Sequence, residues 1–187
     1  VFHHLYIGAA KVVVILNNTT DNSIKLAKCI EEADPRFEYI DADSNGMLAR
    51  SRDRGDHFQL YAYNTLIQIA RRIPGLTHIC FLDLDEYLMP INLDNKISEF
   101  IDSLSDIDII SFLWYSDVPR ANARPFTDLF SACENQIARM DHVKSCARLS
   151  IPDLQATHHN FYRSSRLEAT NVLAEQFVDL VDKRNIA

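Results

Sequence analysis

Glycine is scarce in this chain. Its four residues, Gly8, Gly46, Gly55 and Gly75, fall into neither a G-x-G-x-x-G nor a Walker-type arrangement. A backbone cradle for phosphate is therefore excluded, and a nucleotide would have to be held by side chains and a metal ion. Cysteine is equally sparse. Cys29, Cys80, Cys133 and Cys146 form no C-x-x-C pair, which argues against structural zinc and a disulfide framework and for reduced thiols, as in a cytosol. Long apolar runs are missing: "VVVIL" at 12–16 is far short of the ~20 residues of a membrane span. The opening residues do not read as a signal peptide, and because the chain begins at Val1 rather than Met, an upstream segment is expected. Positive charge is in deficit: 19 Lys and Arg against 26 Asp and Glu give a formal net charge of −7, so nucleic acid is not an expected partner. Together these absences predict a cytoplasmic protein without a transmembrane segment.

What is present suits one well-cored domain over residues 1–187, with 47% hydrophobic residues. The first half alternates between strand and helix patterns. Lys11 to Leu16 is a β-branched apolar run expected of a strand buried on both faces. Asp21 to Ser23 can cap a helix over Ile24–Ala33 whose Ile24, Ala27, Ile30 and Ala33 share one face. "FEYID" (37–41) reads as a second strand and 42–54 as a polar loop; a longer helix over Asp56–Arg72 presents Phe58, Tyr61, Ala62, Thr65, Leu66 and Ile69. Thr77–Leu82 reads as a third strand, Asp94 as the cap of a helix through Leu104, and Ile107–Trp114 as a fourth strand. This order predicts an α/β fold with a mostly parallel central sheet and helices on both faces. Beyond about Tyr115 the pattern is less regular. Segments 142–150 and 155–161 read as short strands and Arg166–Lys183 as a closing amphipathic helix.

In open α/β sheets, ligands sit beyond the carboxyl ends of the strands. Here those ends are acidic: Asp21 after the first strand, Asp43 after the second, Asp83, Asp85 and Glu86 after the third, and Asp117 after the fourth. For any one of them a solvated loop or a helix cap is the ordinary role. Asp83 and Asp85 differ, because "CFLDLDEY" ends an apolar run in carboxylates spaced i and i+2, which a strand would point to the same side. Such a pair repels unless a cation takes its oxygens, and Mg2+ or Mn2+ suits an oxygen-only site that leaves room for water and phosphate.

The ordered segments "HHLYIGAAKVVVILNNTTDNS", "QLYAYN", "HICFLDLDEYLMP", "KSCARLS" and "THHNFY" resemble the family-2-like and family-92-like glycosyltransferases of the GT-A fold, over His3 to about Tyr162. The resemblance implies a Rossmann-like nucleotide-diphospho-sugar transferase domain whose opening strand would precede Val1. It implies Asp85 as the direct metal ligand, Asp83 reaching the metal through water or the ribose, and His159 or its neighbour His158 as a late metal ligand or diphosphate contact. Asp21 and Asp43 match positions that hold the base and ribose. The partners so implied are a UDP-sugar or similar donor and a glycan or other hydroxyl acceptor, with Mn2+ or Mg2+ as cofactor. Polysaccharide biosynthesis, and with it a place peripheral to the inner membrane, is suggested by the company that family keeps.

An inverting transfer also needs a base for the acceptor hydroxyl, for which Asp117 and Glu134 are candidates. Lys144 reads either as a diphosphate partner or as an exposed edge-strand lysine. Two other readings stand beside the transferase. Haloacid-dehalogenase-like phosphatases also place D-x-D at a strand end, with the first Asp, here Asp83, as nucleophile; they usually carry Thr or Val where this chain has Tyr87. The third reading is a non-catalytic sugar-nucleotide-binding remnant.

Overall fold

The computed structural model describes residues 1–90, 94–104, 107–117, 137–158 and 160–163. The expected helix over Arg166–Lys183 lies outside the described residues. After a short helix α1 (Phe2–Tyr6), the strands β1 (Val12–Leu16) and β2 (Phe37–Asp41) pair in parallel, from Val12 opposite Phe37 to Leu16 opposite Asp41. Parallel pairing needs a crossover, and α2 (Ser23–Ala33) provides it. Strand side chains alternate between faces. Val12, Val14, Leu16, Phe37 and Tyr39 thus meet Ile24, Ala27 and Ile30 of α2, while Ile15 and Ile40 pack toward Ala42, Met47 and Ala62. Apolar residues thus pack against both sides of the strand, but of its five residues only Leu16 is fully buried, less than its apolar run predicts.

Residues 42–54, expected as loop, contain a helix α3 (Met47–Asp53). Its Arg and Asp residues disguise a single buried edge, Met47 and Ser51. Helix α4 (Phe58–Ala70) follows, two residues shorter at each end than its sequence pattern. Its buried face is also broader than the single stripe expected. Phe58, Tyr61 and Ala62 lie on the β1–β2 side and Tyr63, Ile67 and Ala70 on a second core, whereas Ile69 is exposed. A helix lodged between two clusters needs apolar residues around more of its circumference.

The second core surrounds a three-stranded sheet of order β3-β5-β4: β3 (His78–Cys80), β4 (Ile109–Asp117) and the 12-residue β5 (Ile137–Arg148). Here the structure corrects the expected parallel sheet. β5 runs antiparallel to both neighbours, and among the described ladders only β1–β2 is parallel. Of the segment 142–150, residues 142–148 form the end of this long strand and 149–150 turn away from it. The expected strand at 155–161 is a hairpin, β6 (Leu154–Ala156) and β7 (Phe161–Arg163). Thr157 and Asn160 close its turn through backbone and hydroxyl hydrogen bonds. Ile67 meets Ala147, Leu149, Ile151, Leu154, Ala156 and Phe161 beneath the sheet. Helix α5 (Ile97–Asp102) precedes β4; Lys96, not Asp94, is its N-cap, and no side chain bonds there. Among the described residues no helix is long and apolar enough to cross a membrane. The molecule is thus mixed α/β, assembled from small sheets.

Candidate functional site

The third strand ends earlier than its sequence suggests, and this changes the acidic motif. Its ladder with β5 stops at Cys80, opposite Cys146. Asp83 to Glu86 form a tight turn instead, in which the Glu86 N–H donates to the Asp83 carbonyl at 3.0 Å and the Asp83 N–H to Glu86 Oε2 at 2.8 Å. Asp83 and Asp85 therefore do not share a face through strand alternation; both are exposed on the turn.

A cation does sit beside Asp83 and Glu86. Lys144 lies on β5, the central strand, rather than on an edge, and its side chain is only 6% exposed. Its Nζ donates to Asp83 Oδ2 at 3.2 Å and pairs with Glu86 Oε2 at 2.9 Å. Burial alone would lower the lysine pKa, but the hydrogen bonds and charges of Glu86 and Asp83 outweigh it and hold the ammonium above its ordinary value. The Trp114 ring lies 5.7 Å from that ammonium, close enough for a cation–π contact. Glu86 is itself 9% exposed, and its second oxygen, Oε1, is buried without a hydrogen-bond partner among the described residues.

The neighbouring wall comes from α4 and the hairpin. Tyr63 stacks on Phe81 at 4.0 Å between ring centroids, and Phe81 on Phe161 at 5.5 Å. The Gln59 amide donates to the Tyr63 hydroxyl at 2.8 Å, and its carbonyl oxygen lies 2.7 Å from His158 Nδ1. Burial pushes the Tyr63 phenol above its ordinary value, and the Asp83 charge adds to this against the Gln59 hydrogen bond. Behind the wall Asn64 accepts from the Ala156 N–H at 3.0 Å, and Ser145 donates to Asn160 at 2.7 Å. The quoted segments "QLYAYN", "DLDEY", "KS" and "THHN" are thus physically joined, though separated by up to 99 residues.

Asp21 and Asp43 stand at the carboxyl ends of the parallel pair. Asp21 accepts from the Ser23 N–H at 2.9 Å, and hydrogen bonding by the Ser23 side chain, then by its backbone, holds the Asp21 carboxyl below the usual range. Asp43 Oδ2 accepts from the Asn18 N–H at 2.7 Å and so ties the loop after β1 to the loop after β2. Asn18 takes a left-handed conformation there, φ 51°. Asp117 closes β4 opposite Ile137, its side chain beyond description; His159 and Glu134 lie outside the described residues.

Sequence reasoning missed Glu86 as the lysine's partner and Tyr63 as the bridge to the hairpin. The available signal was a buried-strand lysine following a D-x-D-E run, since such a lysine needs an acid. Among the described residues no group of three His, Cys, Asp or Glu side chains could cage a metal. The two exposed carboxylates of the turn supply hard oxygen donors. Compared with protein-family models, with curated proteins and with solved structures, the chain shows no significant match.

Proposed function

We propose that this chain is a metal-dependent glycosyltransferase of the GT-A type, acting in the cytoplasm on a nucleotide-diphosphate sugar, UDP-linked by preference, and a glycan or other hydroxyl acceptor. One observation carries the reading. The acidic turn, the Lys144 strand and the His158 hairpin, three of the five segments through which the sequence resembles that family, come together with the Gln59–Tyr63 helix, a fourth, through Glu86, Tyr63 and Gln59. In this reading Asp85 and Asp83 hold Mn2+ or Mg2+, with His158 or His159 toward the same ion or the diphosphate, and Asp21 and Asp43 address the nucleoside. The ion supplies neutralisation of the departing diphosphate. Lys144 adds a second positive charge, and Asp117 or Glu134 takes the acceptor's proton.

The test is a thermal-shift screen of UDP-, GDP- and CDP-sugars with and without Mn2+, followed by donor hydrolysis. A true donor raises the melting temperature only with metal, because stabilisation grows with ligand concentration over Kd, and Asp85→Ala abolishes both shift and hydrolysis. No shift with any nucleotide would count against the assignment. One observation favours a second reading: the Lys144 ammonium beside Asp83 would equally attract a phosphoryl group toward a nucleophilic carboxylate. A trapped phosphoryl group on Asp83 would establish that phosphatase chemistry instead. Persistent donor binding without turnover would point to the non-catalytic remnant.

A further inference from the structure

We infer that Cys80 and Cys146 are a modification site, a thiol pair that a small peroxide converts to a reversible cross-strand disulfide. The register sets the two residues directly opposite each other in the antiparallel β3–β5 ladder, and both are free thiols. The Leu149 N–H donates to the Thr77 carbonyl at 2.8 Å, one step outside the His78–Arg148 pair. Hydrogen-bonded and non-hydrogen-bonded pairs alternate along such a ladder. Thr77–Leu149 and Ile79–Ala147 are therefore of the first kind, and Cys80–Cys146 is of the second. Partners of the second kind lie about 4.5 Å apart at Cα, inside the roughly 4.4–6.8 Å that a disulfide spans.

Side-chain direction agrees. Ile79 and Ala147 pack into the second core, so strand alternation turns Cys80 and Cys146 together to the other face. Burial pushes the Cys80 thiol well above its ordinary pKa and the charge of Cys146 pushes it further, as close neighbours do. Burial takes Cys146 up to about 12. Both sulfurs therefore rest protonated and inert until an oxidant small enough to reach Cys80, the half-buried member, arrives. The Cys80 sulfur, its proton lost to water, displaces hydroxide from the peroxide and becomes a sulfenic acid. Cys146 attacks that sulfur; the S–S bond forms, and the hydroxyl leaves as water with the Cys146 proton. Two thiols and one peroxide give one disulfide and two waters. The bond fastens the end of β3, just before the Asp83–Glu86 turn, to the central strand of the sheet.

The experiment treats the full chain carrying Cys29→Ser and Cys133→Ser with hydrogen peroxide, so that no other cysteine competes. Alkylation after denaturation counts the thiols, and peptide mapping without reductant locates the bond. The expected result is one peptide pair joining Cys80 to Cys146, loss of both thiols, and their return with dithiothreitol. In Cys146→Ala no second thiol resolves the sulfenic acid, and Cys80 proceeds to sulfinic acid. Cys80→Ala leaves Cys146 reduced, and serves should the first variant fail to fold. Two intact thiols after treatment, a disulfide between chains only, or sulfinic Cys80 while Cys146 is present overturns the inference.

Discussion

At Lys144, Glu86 and His4, ordinary pairing rules make separate, checkable demands. Glu86 and Lys144 form a largely buried ion pair, and removing one partner of such a pair strands the other charge. Glu86→Ala should cost about 2–4 kcal/mol, read as a lower urea midpoint with an unchanged slope. An unchanged midpoint would show that the ammonium is solvated rather than paired. His4 is a second case. Its Nε2 accepts from the Leu88 N–H at 3.4 Å while His3 Nε2 donates to the Leu88 carbonyl at 2.8 Å, so two histidines hold the chain just beyond the acidic turn. Burial, helped by the charge of His3, lowers the His4 pKa from 6.5 to about 4. Its folded pKa lies below its unfolded one, so the unfolded chain takes up this proton first as pH falls. The stability His4 contributes is complete above pH 6.5 and drains away between 6.5 and about 4. The loss should be about 1–3 kcal/mol, and His4→Gln should remove that part of the pH dependence. An identical pH profile in the variant would refute the assignment.

Elements were legible where a pattern ran long and illegible where it was short or cut off by tertiary pairing. The β1–α2–β2 unit was readable because β-branched strands and a one-faced helix carry different periods. The end of β3 was not, because "CFL" continues the apolar run while its pairing with β5 stops at Cys80. What looked like strand alternation at Asp83 and Asp85 is a turn for that reason. The hairpin at 154–163 was hidden because three-residue strands carry almost no periodic signal and Thr157 and Asn160 close their turn without glycine. Gly8 marks a junction that sequence alone did not show. At φ +108° it brings α1 against α5, where a Cβ would meet Ser98 Oγ at 2.6 Å, and the Ile97 N–H donates to the Ile7 carbonyl at 2.7 Å. Gly8→Ala should therefore destabilise by about 1–3 kcal/mol, or some 2–9 °C in melting temperature for a domain of this size. No change in melting would mean that the α1–α5 contact does not govern stability.

At the scale of the molecule, the alternation of helices and strands was legible through β4 apart from α3, while the direction of pairing was not. Hydrophobic runs report burial, not polarity of neighbours, and β5 lies far along the chain from β3 yet sits between it and β4. That insertion is also what places Lys144 beside Asp83 and Glu86, so the topology and the site have the same origin. The rim of the parallel pair holds Asp43 and Asp21 in loop-tying roles, and a nucleoside would have to meet them there. All of this turns on whether the acidic turn takes a divalent ion together with a diphosphate. Electron paramagnetic resonance of Mn2+ in the presence of UDP measures that directly, since bound ion loses the sharp signal of the free one. A cation–diphosphate site at this turn predicts saturable loss of that signal with the wild-type chain at one equivalent and its persistence, at the level of UDP alone, with Asp85→Ala. A wild-type titration indistinguishable from UDP alone, or an Asp85→Ala chain that binds as well as wild type, would contradict it.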